Sequence, residues 1–171
     1  MIEQVAISKM VDESEQLKGV RDHQHTPLHL AAWEGNCAQI KELIDRGADV
    51  DRQTAAGWTA LHLASRCGHV DCIQMLLDTG GANPDLLCQN WTALHFAAWH
   101  DHLCACIFLL SRGADPFLCD LWGSSPLDLY GEYVLLVPPI SKIEKERKVS
   151  LLLQAAQNFK VLGRPVPFTL A

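Results

Sequence analysis

The amino-acid sequence predicts an all-α repeat fold, a solenoid of helix-turn-helix units, and three observations predict it. The stretches "TPLHLAA" at Thr26, "TALHLAS" at Thr59, "TALHFAA" at Thr92 and "SPLDLYG" at Ser125 recur at intervals of 33 residues. Within each block the apolar residues fall at helical spacing in two separate sets. The first three blocks then close on glycine, at Gly47, Gly80 and Gly113. A fixed period of this kind marks stacked units, none of which can bury its apolar face alone.

In chain order, residues 1–20 are expected to form an N-terminal capping helix and linker. Ile7, Met10 and Val11 lie 33 residues before Ile40, Leu43 and Ile44, which makes residues 2–11 a lone second helix. The repeats occupy 21–137, with starts at Thr26, Thr59, Thr92 and Ser125. Thr26-Pro27 reads as an N-cap followed by proline in the first helical turn, where the missing N–H costs nothing. Counted from the Thr or Ser as zero, offsets 2, 5 and 6 are apolar or small: Leu28, Ala31, Ala32; Leu61, Ala64, Ser65; Leu94, Ala97, Ala98. That spacing gives one buried helical face. Offsets 14, 17 and 18 give a second: Ile40, Leu43, Ile44; Ile73, Leu76, Leu77; Cys106, Leu109, Leu110. Gly35 and Gly68 separate the two helices, where left-handed backbone is wanted.

The second block departs from the pattern at "TGGANPD", with one residue extra before Ala82 and one fewer before Trp91, so its loop should be irregular. In the fourth block Val149, Leu152 and Leu153 reach the second-helix pattern only after a ten-residue insertion marked by Pro138 and Pro139. Ser141 and Glu144 have capping-box spacing. Residues 138–158 are therefore expected as a C-terminal capping helix, with 159–171 a tail.

Composition narrows the function. The formal charge is −6, from 14 Lys+Arg against 20 Asp+Glu, which leaves no basic surplus for phosphate backbones and argues against a nucleic-acid partner. The longest clean apolar run, "YVLLV", is too short to cross a bilayer, and the N-terminus has no signal-peptide pattern, so no membrane is expected. Seven scattered cysteines without a C-x-x-C pair suggest reduced thiols. The expectation is a monomer in the cytoplasm, with the nucleus as a second location.

The "TPLHLAA…G…LL…GAD" pattern resembles the ankyrin repeat over residues 26–128. The resemblance implies antiparallel helix pairs stacked into a curved array, β-hairpin fingers between repeats, a concave surface that binds another protein or peptide, no catalysis and no cofactor. It also implies that His29, His62 and His95 support the finger and the helix-start Thr, and that offsets −4, −3, −1, 7 and 8 are variable surface positions.

The stretch "NWTALHFAAWHDHLCACI" invites a metal or catalytic reading through His100, His102, Cys104 and Cys106. Alternate residues of a helix point about 200° apart, whereas zinc needs a tetrahedral set, so no metal site is expected. Three identical histidines one repeat apart likewise suit a repeated structural bond better than one catalytic base.

The tryptophans avoid every core offset. Trp33 and Trp99 sit at offset 7, Trp58 and Trp91 at −1, and Trp122 at −3. With Arg66 at offset 7 and His100 at offset 8, they form the expected partner-binding set, Arg66 being flanked along the array by Trp33 and Trp99 in a cation–π ladder. Leu86, Leu87, Phe117, Leu118 and Leu121 either extend this surface or fill the fingers. The function expected is a protein-interaction module or adaptor. Rival readings are a kinase-inhibitor-like regulator, suggested by "GANPDL", a methyl-lysine reader caging its ligand with Trp91, Phe96 and Trp99, and a hydrolase using His100 and Cys104.

Overall fold

The computed structural model describes residues 25–130 and, further along, residues 147, 148, 150–152, 154 and 157. The capping helix expected within 1–20, the proline-marked loop and the 159–171 tail lie outside the described residues. Three helix pairs follow one another: α1 (Pro27–Glu34) with α2 (Cys37–Asp45), α3 (Ala60–Cys67) with α4 (Val70–Gln74), and α5 (Ala93–Trp99) with α6 (Leu103–Ser111). Helices this short are marginal alone, so stacking holds them. α1, α3 and α5 pack side by side in one layer, and α2, α4 and α6 pack in a second.

The two apolar stripes read from the sequence line the space between neighbours. All nine residues at offsets 2, 5 and 6 are buried, as are Ile40, Ile73 and Cys106 at offset 14. Offset 18 is looser: Ile44 and Leu77 are half-buried, whereas Leu110 is enclosed.

Each first helix starts in the same way. Thr59 Oγ1 accepts the His62 N–H, and His62 Nδ1 accepts the Thr59 N–H at 3.2 Å. With Nδ1 accepting, the ring proton belongs on Nε2, which donates to the Leu86 carbonyl in the next finger at 3.0 Å. His29 does the same to the Trp58 carbonyl at 2.9 Å. One imidazole thus caps its own helix and ties down the following loop. In the fourth block Asp128 takes over the near half of this role, its Oδ2 accepting from the Ser125 N–H at 2.9 Å and the Ser125 hydroxyl at 2.6 Å.

The irregular second block has a specific form. The extra residue is absorbed by a π-helical turn, Met75–Thr79, that continues α4, with the Gly80 N–H reaching back to the Met75 carbonyl. Ala82 bonds to the Leu76 carbonyl, whereas Ala48 and Ala114 bond to Leu43 and Leu109, one residue nearer in sequence. Leu76 and Ala82 consequently stay buried. The missing residue is taken from the following loop, where Cys88 and Trp91 pair directly around Gln89 and Asn90, both at positive φ (50° and 67°). That is the backbone of a two-residue type I′ turn.

The β-hairpin fingers expected from the resemblance are corrected to hydrogen-bonded turns. The Thr54 N–H bonds the Trp58 carbonyl at 2.9 Å and the Asp120 N–H bonds the Ser124 carbonyl at 3.0 Å, but the only β pairing among the described residues is the isolated Cys88–Trp91 bridge. Carboxylates tie finger to finger instead of a strand ladder. Asp51 accepts the Asn83 N–H at 3.0 Å, and Asp85 accepts the Asp115 N–H at 2.9 Å.

Beyond the third pair, the described residues between 147 and 157 are helical. Leu152 lies in the common core at 1% exposure, and Lys148 Nζ meets Asp101 Oδ2 at 2.7 Å.

Candidate protein-interaction surface

Arg66 lies in the last turn of α3, and its guanidinium carbon stands 5.8 Å from the Trp33 ring centroid and 5.7 Å from that of Trp58. Both separations fall within cation–π reach. The ladder exists, but its second rung is Trp58 rather than Trp99. The backbone under it is pinned from the next repeat: His69 Nε2 donates to the Trp33 carbonyl at 3.1 Å, and His102 Nε2 donates to the Arg66 carbonyl at 3.0 Å. Trp33 and Arg66 are both half-buried, so each keeps part of its surface open.

Two tryptophans expected on the open face are enclosed. Trp99 is 2% exposed and Trp58 is 7% exposed. Trp58 folds over the next repeat, its ring 4.7 Å from Phe96, and Phe96 continues to Trp91 at 5.1 Å. Trp91 meets Trp99 at 5.6 Å, stacks on His95 and donates its indole N–H to Asp120 Oδ2 at 3.3 Å. The expectation of exposure fails for Trp58 because its ring, at offset −1, reaches Phe96 of the next repeat, and for Trp99 because Trp91 from the finger of its own repeat lies against it. Trp91, Phe96 and Trp99 do come together, as a methyl-lysine cage would need. Phe96 and Trp99, however, are packed against other rings and are buried.

His100 is half-buried and stacks on His102 with ring centroids 6.1 Å apart. Burial, with the Arg66 charge and His102 adding to it, pushes its imidazole down to about 4, so it faces Arg66 as a neutral ring near pH 7. His100, His102, Cys104 and Cys106 do not converge: Cys106 is wholly buried, Cys104 is exposed, and His102 is engaged by Arg66.

Trp122 is the tryptophan that stands open, at 60% exposure, beside Leu121 at 71%. Phe117 on the same finger and Leu87 on the preceding one are also exposed, while Leu86 and Leu118 are half-buried. Asp120 holds this apolar tip in shape. Its Oδ1 accepts the Trp122 and Ser124 N–H groups, both at 2.9 Å, while Oδ2 takes the Trp91 indole. Sequence reasoning passed over Asp120, although an Asp two residues before a Trp-Gly step is an Asx-turn signal.

No curated protein matches the chain. The family model described as ankyrin repeats in three copies matches residues 28–120, more than half of the 171 residues. That span coincides with the three stacked helix pairs, their capping histidines and their finger turns, and the chain belongs to the ankyrin-repeat family.

Proposed function

We propose that the chain binds a protein or peptide along a surface running from Trp33, Arg66 and His100 on the first-helix layer to Leu87, Phe117, Leu121 and Trp122 at the finger tips. Ankyrin repeats serve generally as protein-interaction modules. The observation that carries the finer reading is the pair Leu121 and Trp122, large apolar side chains exposed side by side on a finger whose backbone Asp120 makes rigid. Apolar groups held open in this way mark binding surfaces, and a surface ordered beforehand loses little conformational entropy on association. The activity is non-catalytic and calls for no cofactor. We place the chain in the cytoplasm or nucleus, as a monomer before it meets its partner.

A kinase-inhibitor-like role would be one case of this binding, and no observed contact favours it over another. The methyl-lysine reading is weaker, because two rings of its cage are buried.

Proximity labelling with the wild type, with Leu121→Ser/Trp122→Ala and with Arg66→Ala tests the proposal, circular dichroism serving as the folding control. Neighbours lost with both folded variants are expected. An unchanged neighbour set for both would reject this surface.

A further inference from the structure

We propose that Cys37 and Cys72 form an oxidisable dithiol that closes into a disulfide across the boundary between the first and second repeats. The two sulfurs face each other at 2.8 Å, and Cys72 comes from the second-helix layer of the next repeat. A disulfide needs about 2.05 Å, so the sulfurs have less than an ångström to travel. At the next boundary the same two positions, offsets 11 and 13, carry Val70 and Ala105. Apolar side chains therefore suffice for packing at this place in the array, and the first boundary has two thiols there instead.

The two partners differ in access. Cys37 opens α2 and is half-exposed, whereas Cys72 is buried. Burial first, and then the bond to Cys37, push the Cys72 thiol well above its ordinary range, so it remains protonated at neutral pH. Cys37 is thus the group that meets a soluble oxidant, and Cys72 resolves it.

With hydrogen peroxide as oxidant, the Cys37 thiolate attacks one peroxide oxygen. An S–O bond forms, the O–O bond breaks, and the departing hydroxide is protonated to water. Cys72 sulfur then attacks Cys37 sulfur, forming S–S and breaking S–O, and the Cys72 proton leaves with that hydroxide as a second water. Two thiols are oxidised and one peroxide is reduced. A thiol reductant reverses the bridge by exchange.

The bridge spans the boundary already crossed by the His69–Trp33 bond and the Arg66–Trp33 contact, so closing it fixes the first repeat to the second. The cysteines are 35 positions apart, and removing that loop's freedom from the unfolded chain should raise Tm by on the order of 10 °C.

The test uses the full chain carrying Cys104→Ser and Cys119→Ser, which removes two exposed thiols, treated with a few equivalents of hydrogen peroxide. The expected product is monomeric and two hydrogens lighter, yields a cross-linked peptide containing Cys37 and Cys72, melts higher by the stated amount and reverts with dithiothreitol. Cys72→Ala, which copies the residue at the next boundary, should fold and show neither the mass loss nor the melting shift. Cys37 and Cys72 both remaining alkylatable, or Cys37 passing to sulfinic acid while Cys72 stays free, would overturn the proposal.

Discussion

Gly68 opens directly onto the imidazole of His102: a Cβ placed on Gly68 would lie 2.6 Å from the ring's Nδ1. The ring occupies that space because its Nε2 is bonded to the Arg66 carbonyl. The glycine also sits at φ 72°, where an L side chain is strained. Gly35 and His69 repeat the arrangement with 3.0 Å of clearance. Asp101, at the same offset in the third repeat, also has positive φ and pairs with Lys148.

Gly68→Ala should therefore destabilise the fold by about 2 to 4 kcal/mol, from backbone strain plus displacement of His102. Gly47→Ala has comparable φ, 82°, but no atom within 4 Å of the new carbon. It should lose only about 1 kcal/mol. Urea denaturation of the two variants separates strain from crowding, and equal losses would show that the His102 contact is immaterial.

Trp99 and Trp122 should behave in opposite ways. Trp99→Ala empties a core site and should remove about 3 to 5 kcal/mol of stability. Trp122→Ala, at 60% exposure, should change stability by under about 0.5 kcal/mol. Thermal melts decide the point. A fully stable Trp99→Ala protein would contradict the enclosure of that ring.

Stability should fall with acidity through the histidines. His62 is held neutral in the fold by burial, which pushes its pKa from 6.5 down to about 4, and His100 is lowered to the same range. Burial also lowers His29 and His102. Above about pH 7 neither the folded nor the unfolded chain protonates these rings, so they add no slope. As pH falls through 6.5 toward 4, the unfolded chain takes up protons that the native imidazoles refuse. Stability must drop across that window, by about 3 kcal/mol for His62 alone once pH reaches its folded value. Urea midpoints at pH 7.5 and pH 5 measure the effect, and equal midpoints would show that these rings are accessible to protons in the native state.

Leu152→Ala should destabilise the array by about 2 to 5 kcal/mol, because the residue is enclosed in the common core although it lies far along the chain from the three helix pairs. An unaltered denaturation midpoint would place that helix outside the cooperative unit.

The repeat, both helix stripes, the caps and the glycine positions were legible in the sequence because each follows from a local period that the chain states several times. The exposure of individual tryptophans was not. Trp33 and Trp99 share offset 7, yet one is half-buried and the other enclosed, because what covers a residue in an array comes from other parts of the chain. Trp58 shows the same limit: its burial depends on Phe96, 38 positions later, and periodicity within one block carries no word of it. The sequence marks Arg66 as a ladder residue but points to Trp99 in place of Trp58 as the second indole, since offset describes angle around a helix and not the reach of a finger.

The π turn at Met75–Thr79 and the short Gln89-Asn90 turn together form a matched pair of length changes. Each alone would change the connection between the second and third repeats by one residue, a difference that the loop between α4 and α5 would have to absorb. Together they leave the third repeat in phase with the first. Removing Gly81 alone, or lengthening the Gln89-Asn90 turn alone, should therefore lower the urea midpoint more than making both changes at once. The second repeat thus carries two length changes of opposite sign about ten residues apart, so that the third repeat begins where an uninterrupted array would begin it.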